Sequence, residues 1–442
     1  MKVSESRKLL SAFLLLLVFT FGAIAQDKPK FQGQPPIKGD VDTTDHEIEK
    51  QERKVFSFPE DGVYFSNKFA GARLNEVTKT AENKYTILIK PENSPINMSP
   101  WYAFQVWANK KKEIEVKMTY AGEAAHRYNP KISKDGNKWK ALESSRIIEE
   151  EKGTADFGPD SLPKRAILKL KIGKKPLWVS AQELEDSARV YKWMEKMAKK
   201  PFIDVWTFAK SKEGRDMKMM RIGDADSKNM VMVISRQHPP EVTGYFAMQA
   251  FVEKLADKST LSKTFRKDWA IYVVPLMNPD GVDEGHWRHN AGGIDLNRDW
   301  TVFNQPEDLA VSNFLKEREA ATGGKFYFGI DFHSTWDDIY YPMAKEYKGN
   351  MPDLVYDWLD AIKKAIPNYE PNIRASDKAK PAIVSRNYFY FSHGMEAIVF
   401  EIGDNTSREF IKKKGTVGAE QLMKLMLARM NTKANAASNA GN

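Results

Sequence analysis

The 442-residue sequence has no cysteine. That absence excludes disulfides, thiolate metal sites, a cysteine nucleophile and a lipid-modified cysteine anchor together. Any metal must therefore be held by histidine and carboxylate. A membrane-spanning run is lacking too, because the apolar stretch beginning Leu14-Leu-Leu-Leu-Val-Phe is shorter than the roughly 20 residues a spanning helix needs. The formal net charge is +9, yet no basic stripe accompanies a recognition motif. The surplus is spread along the chain, and the short runs Lys110-Lys111-Lys112 and Lys412-Lys413-Lys414 read as solvated faces. Nucleic acid is not an expected partner. Repeats of solenoid length are also missing.

What is present divides the chain. Lys2, Arg7 and Lys8 precede the apolar run, and Ala23-Ile-Ala25 precedes Gln26, the pattern of a secretory signal peptide over 1–25. Cleavage would remove a net +2 from the +9, leaving +7 on an exported chain without stable membrane insertion. An uncleaved anchor is the rival reading. Residues 26–49, rich in Pro, Lys, Asp and Thr without apolar period, read as a flexible leader. Between 50 and 177 apolar and polar residues alternate, as in Ile114, Val116, Met118, Tyr120 and Leu168, Leu170, Ile172. This predicts a small antiparallel β-sandwich.

After Pro176 short apolar strands alternate with amphipathic helices, the pattern of an α/β sheet covered on both faces. Strands are expected at 231–234, 271–274, 326–330 and 397–400, and helices at 241–257, 306–320, 352–366 and 416–431. The second domain spans 178–432, and residues 433–442 read as a disordered tail.

Three of the four expected strands deliver a candidate metal or acid group. The strand at 231–234 runs into Arg236-Gln-His238-Pro-Pro-Glu241, a loop because His238 precedes proline. The strand at 326–330 leads to Asp331-Phe-His333, and that at 397–400 to Glu401. Open α/β sheets place their sites at the carboxyl ends of strands. Alone, each signal is common: a single histidine after a strand is more often a hydrogen-bonded core residue. Jointly they fit a site of two histidines and a carboxylate with an open fourth position, which activates water.

The order His238-Pro-Pro-Glu241, Asn278-Pro-Asp-Gly281, Trp287-Arg288, Gly293-Ile-Asp-Leu-Asn-Arg298, His333-Ser334 and Phe400-Glu401 resembles the M14 zinc carboxypeptidases over about 190–430. Phe65-Ser-Asn-Lys-Phe69 and Ala72-Arg-Leu-Asn75 are similar to the β-domain of the cytosolic-carboxypeptidase branch. With the signal peptide, this points to an exported bacterial member, periplasmic or extracellular. The resemblance implies a mixed-sheet carboxypeptidase domain behind the β-sandwich and one zinc held by His238, Glu241 and His333. It further implies that Asp295 fixes the ring of His238, Asn297 and Arg298 grip the C-terminal carboxylate of a peptide or protein, Arg288 stabilises the oxyanion and Glu401 is the general base. It sets side-chain preference somewhat over a dozen positions before the base, which reaches Arg386 and an acidic C-terminal residue.

Three features depart from the pattern. Pro240 replaces an arginine of the digestive members, Asp299 stands where asparagine is usual, and no tyrosine can be assigned to closing over substrate, Tyr388 and Tyr390 alternating with Phe389 and Phe391 as wall residues do. Bland alternatives stay open. Arg288 and Arg298 could be surface arginines, Asp295 a turn residue, Asn278–Gly281 a tight turn, and Arg386 solvent-facing or paired with Asp404. The same chemistry could act on cell-wall stem peptides, or the chain could be a catalytically silent peptide-binding protein.

Overall fold

Alternation in the first third of the chain builds two stacked sheets. The computed structural model describes residues 41–94, 96–155, 159–375 and 383–440; the expected signal peptide and the leader as far as residue 40 lie outside the described residues. One sheet has the strand order 55–58, 63–66, 103–108, 177–180, 131–133, 139–141, and the other 76–81, 84–89, 112–120, 163–172, 147–152. Phe65, Phe104 and Val106 from the first face Ile87, Val116 and Leu168 from the second in one buried core. The pairing is antiparallel with one exception. Lys84–Ile89 runs parallel to Lys112–Tyr120, because the chain between them crosses to the other sheet as Ala103–Ala108, and parallel neighbours need such a crossover. The sandwich ends at Ser180 and not at 177, since Leu177–Ser180 pairs with Ala103–Ala108.

The leader is not loose where it is described. Thr43 is buried and its Oγ1 donates to Asp299 Oδ1 at 2.6 Å, Gln305 Nε2 donates to Thr43 O at 2.9 Å, and His46 N donates to Gly292 O at 2.8 Å. A segment poor in apolar residues is held here by hydrogen bonds to a buried loop, a device that composition does not reveal.

The second layer is a seven-stranded sheet ordered 203–210, 216–222, 269–274, 229–235, 325–335, 396–403, 339–342. Its four central strands are parallel, and Trp269–Val274 is buried at every residue because helices cover both faces. After Asn229–Ser235 the chain places its next strand on one side and Lys325–Thr335 on the other. The carboxyl end of 229–235 is thus a topological switch point, where such sheets open a crevice. Helices form at 242–255, 306–322, 354–365 and 408–440. The last continues past 433, where an irregular tail was expected, since Ala and Lys favour helix.

Two strands exceed their expected length. Lys325–Thr335 and Glu396–Gly403 pair through His333↔Glu401 as far as Thr335↔Gly403, so His333 and Glu401 lie within strands and not in the loops after them. Among the described residues no helix is long and apolar enough to cross a membrane.

Candidate metal and active site

The turn after Ser235 is built to hold a rigid loop. Arg236 takes a left-handed φ of 58°, a conformation that costs a non-glycine residue free energy and needs outside support. Its buried guanidinium supplies that support, donating to Pro239 O at 2.7 Å and Glu185 O at 3.3 Å. The loop then enters the helix Val242–Leu255 directly after Glu241. That helix lies so close to the His333 strand that a Cβ on Gly244 would sit 2.3 Å from His333 O. Gly244 N and Thr243 Oγ1 both donate to Ser334 Oγ at 2.8 Å. Glu241 is thereby pinned against His333.

His238, Glu241 and His333 converge, each buried, with one ligand atom apiece all within 4.8 Å of one another. His238 Nδ1 is 2.8 Å from Glu241 Oε1, His333 Nδ1 is 2.7 Å from Glu241 Oε2, and the two Nδ1 atoms are 3.2 Å apart. The outward nitrogens are taken: His238 Nε2 lies 2.8 Å from Asp295 Oδ1 and His333 Nε2 lies 2.7 Å from Asp331 Oδ2. With a carboxylate beside each Nε2, the Nδ1 atoms are the ring nitrogens turned toward one another and toward Glu241, the arrangement typical of histidine ligands to a metal. Two nitrogens and a carboxylate without thiolate suit one zinc ion. Burial pushes the Glu241 carboxyl up, but the facing histidines outweigh it and hold the group well below the usual range. Burial likewise lowers His333, yet Asp331 and Glu241 raise it well above an ordinary histidine.

Glu401 sits one strand over from His333 in register, so the two side chains share a face of the sheet. Its Oε2 is enclosed without a hydrogen-bond partner. Burial and the charge of Glu241 push its carboxyl up to about 7, against the opposing pull of His333 and His238. Arg288 Nε donates to Asp295 Oδ2 at 2.7 Å, and Arg298 Nη1 lies 3.8 Å from the same oxygen. Arg288 is buried and Arg298 half-buried. One carboxylate thus orients a metal-facing histidine and two cations, and is itself held well below its usual range by Arg288, Arg298 and His238 against the penalty of burial. Asn297 Oδ1 accepts from Ser385 N at 2.9 Å.

Arg386 opens the helix Ser385–His393 beside that contact. It neither faces solvent nor pairs with Asp404. Its side chain is buried, donating to Tyr341 O at 3.2 Å and to Asn387 Oδ1 at 3.0 Å, while Asp404 pairs with Arg127 at 2.8 Å. Among the described residues no carboxylate lies within 4.0 Å of Arg386. Burial alone lowers its pKa to about 10.

Several contributors escaped the sequence. Asp331 Oδ2 accepts from Gln237 Nε2 and Ser385 Oγ, each at 2.5 Å, besides His333. Glu92 of the sandwich, fully buried, accepts the main-chain N–H groups of Trp287 at 2.7 Å, Arg288 at 3.0 Å and His289 at 2.7 Å. Nothing near Glu92 in sequence signals this. Asp299 does not point its charge at the clamp, because Thr43 Oγ1 and Gln305 N donate to it. Asn278 caps the helix Pro279–Glu284 through Gly281 N and holds Gln237 O at 3.1 Å, so the Asn-Pro-Asp-Gly motif is scaffold for the ligand loop. Tyr388 bonds Ser312 Oγ at 2.7 Å in the core.

Comparison with known proteins agrees with this geometry. An uncharacterized protein of Zymomonas mobilis is 26% identical over 256 residues, covering 56% of this chain and 62% of that protein. Cytosolic carboxypeptidase 6 of Caenorhabditis elegans is 31% identical over 111 residues, 24% of each chain. The chain therefore spans less than two thirds of the length of these relatives. The fold is similar to that of a metallo-carboxypeptidase from Burkholderia cenocepacia, with TM-score 0.66 at 18% identity over 84% of this chain and 99% of the other. A metallo-carboxypeptidase from Pseudomonas aeruginosa, solved with (2-guanidinoethylmercapto)succinic acid, gives TM-score 0.64 at 20% identity over 83% and 99%. Residues 190–419 match the zinc carboxypeptidase family as a whole, more than half of the chain, and with the buried two-histidine, one-glutamate cluster at its switch point the chain belongs to that family, M14.

Proposed function

We propose that the protein removes C-terminal residues from peptides, with His238, Glu241 and His333 as ligands to one zinc and Glu401 as general base. The observation that carries this reading is the unpartnered, buried Oε2 of Glu401, in register with His333 on the face that bears the ligand cluster. Bound zinc supplies Lewis acidity and lowers the pKa of water. Glu401 Oε2, desolvated, takes a proton from the attacking water and delivers it to the leaving nitrogen. Arg288, oriented by Asp295, offers guanidinium N–H groups to the carbonyl oxygen as it gains charge. Arg298 and the Asn297 amide bind the terminal carboxylate, which a guanidinium fork matches bidentately.

The test is a pair of blocked peptides identical but for a free or amidated C-terminus. The free peptide is expected to be cleaved and the amide not; equal rates would replace the exopeptidase reading with an endopeptidase or amidase.

Arg386, buried without a carboxylate neighbour among the described residues, supports a preference for acidic C-terminal residues, because an incoming Glu or Asp supplies the missing counter-charge. The ratio of kcat/KM for C-terminal Glu over Leu is expected above one, falling about 10-fold or more in Arg386→Ala. A ratio unmoved by the substitution would remove Arg386 from the pocket. The basic, apolar and small-x-small pattern of residues 1–25 supports export to the periplasm or beyond, and the separate sheets support division into a sandwich and a catalytic domain near residue 180.

A further inference from the structure

A groove of ≈ 1280 Å³ opens between the two sheets of the sandwich. Ten lysine and arginine side chains line it against three acids, a surplus of seven in a chain whose formal surplus is nine. The net charge that looks dispersed in sequence is thus gathered in space, Lys110–Lys112 included. Arg146 pairs with Glu113, but among the described residues none of the nine lysines has a carboxylate within 4.0 Å. Leu142, Leu170 and Ile172 lie buried along the floor. Trp139–Ala141, outermost in its sheet, flanks the groove with Lys138 and Lys140, and an outer strand leaves one row of main-chain groups unused by its own sheet.

We propose that this groove docks an acidic, extended segment of polypeptide, the carboxylates meeting the lysine rim and the main chain lying along Trp139–Ala141. Charge complementarity selects an anion, and the other features choose among anions. No aromatic side chain lines the groove, whereas single-stranded nucleic acid is bound by stacking on aromatics. A bilayer would be met by protruding apolar groups, but Leu142, Leu170 and Ile172 are buried, and none of the exposed large hydrophobics among the described residues belongs to the lining.

The experiment uses the full mature chain carrying Glu401→Gln, so that binding is read without turnover. Fluorescence anisotropy with labelled poly-L-glutamate is compared for this protein and for the same protein with Lys134, Lys138, Lys174 and Lys175 changed to Glu, all four being exposed. Salt-sensitive binding that weakens at least 10-fold in the quadruple variant is expected, with Lys→Arg at the same positions retaining it. In the active background the quadruple variant should cleave a short blocked peptide at the wild-type rate. Equal binding by both proteins overturns the proposal, as does binding of anionic vesicles or single-stranded DNA in place of poly-L-glutamate. Should the quadruple variant fail to fold, the pairs Lys134/Lys138 and Lys174/Lys175 are read separately with the same criterion.

A different observation concerns Glu92. We infer that it is a positioning residue for Arg288, an inference that rests on the oxyanion role proposed for that arginine. Three consecutive main-chain N–H groups, those of Trp287, Arg288 and His289, converge on its carboxylate within 2.7–3.0 Å, and Trp287 itself is buried in the core of the sandwich. The loop bearing Arg288 is therefore fixed by a residue of the other layer. Glu92→Gln turns one acceptor into a donor against these N–H groups. About a 10-fold fall in kcat is expected with KM and zinc content unchanged, because small misplacements at the reacting centre lower the rate steeply. Glu92→Asp, which keeps the charge, should lose less. In an Arg288→Ala background Glu92→Gln should cost no further kcat. Lower thermal stability with kcat per zinc unaltered would reduce Glu92 to a structural role. A wild-type kcat in Arg288→Ala alone would instead overturn the oxyanion reading.

Discussion

Metal chemistry at this site depends on which way two lone pairs point. Asp295 and Asp331 each lie against the outer nitrogen of one histidine, and a carboxylate that accepts the outer N–H leaves the inward nitrogen to bind a metal once it is deprotonated. Asp331→Asn presents an amide that can donate where the ring must donate, and zinc affinity should fall about 10- to 100-fold. Competition with a chelator measures this, and unchanged affinity would mean the ring of His333 is held by packing alone. Glu401→Gln, by contrast, should keep zinc and lose about 10²- to 10⁴-fold in turnover, since an amide cannot accept the proton; loss of metal would make Glu401 a ligand. The pH dependence follows from the same group. Burial and Glu241 raise its carboxyl to about 7, a bound cation would offset Glu241, and the proposed base must be ionised to take a proton. The acid limb of kcat/KM should accordingly fall as pH drops through a value below 7, and a limb centred above 7 would assign it elsewhere.

Among the elements, the contact of Val242–Leu255 with the His333 strand decides whether the ligands meet. A methyl group on Gly244 would collide with His333 O, and neither backbone can yield without moving Glu241 or His333. Gly244→Ala should lower stability by about 1–3 kcal/mol, as overpacking does, and also reduce zinc retained per chain. Denaturant titration with metal analysis checks both, and a stable variant with full zinc would show the helix can slide. The ligand loop itself was legible because proline, a preceding apolar strand and a following helix are local signals. Strand order was not, since the switch point depends on which distant segments pair. Asp331 carries no local signal of its role because the apolar run ends at 330, whereas pairing with Glu396–Gly403 carries the strand through polar residues to Thr335. Glu92 was invisible because its partners lie 195 to 197 residues away.

Over the whole molecule the sandwich, the docked leader and the α/β layer share buried polar groups as well as apolar ones. Arg127 of the sandwich pairs with Asp404 at 2.8 Å under Trp336, and Val242 and Trp287 of the second layer join the sandwich core. Near the docked leader lies Glu307, fully buried, accepting from Lys212 N at 3.0 Å and Asn290 Nδ2 at 3.1 Å beside Gln305, which holds Thr43. Burial pushes its carboxyl up to about 7 from an ordinary 4.5, with Asp280 adding to the rise. A folded-state pKa above the unfolded one means the folded protein holds this proton more tightly. Its contribution to stability is complete below about 4.5 and is lost as pH climbs through about 7. Glu307→Gln removes that proton while keeping the shape. Wild type and variant should therefore differ little at pH 5, and the variant should gain on wild type by on the order of 1–3 kcal/mol at pH 8, read as the shift in urea midpoint. Because both proteins carry the same zinc site, metal loss at low pH cancels in the difference. A gap that does not widen between pH 5 and pH 8 would show that Glu307 is ionised in the fold and that its two hydrogen bonds outweigh its burial.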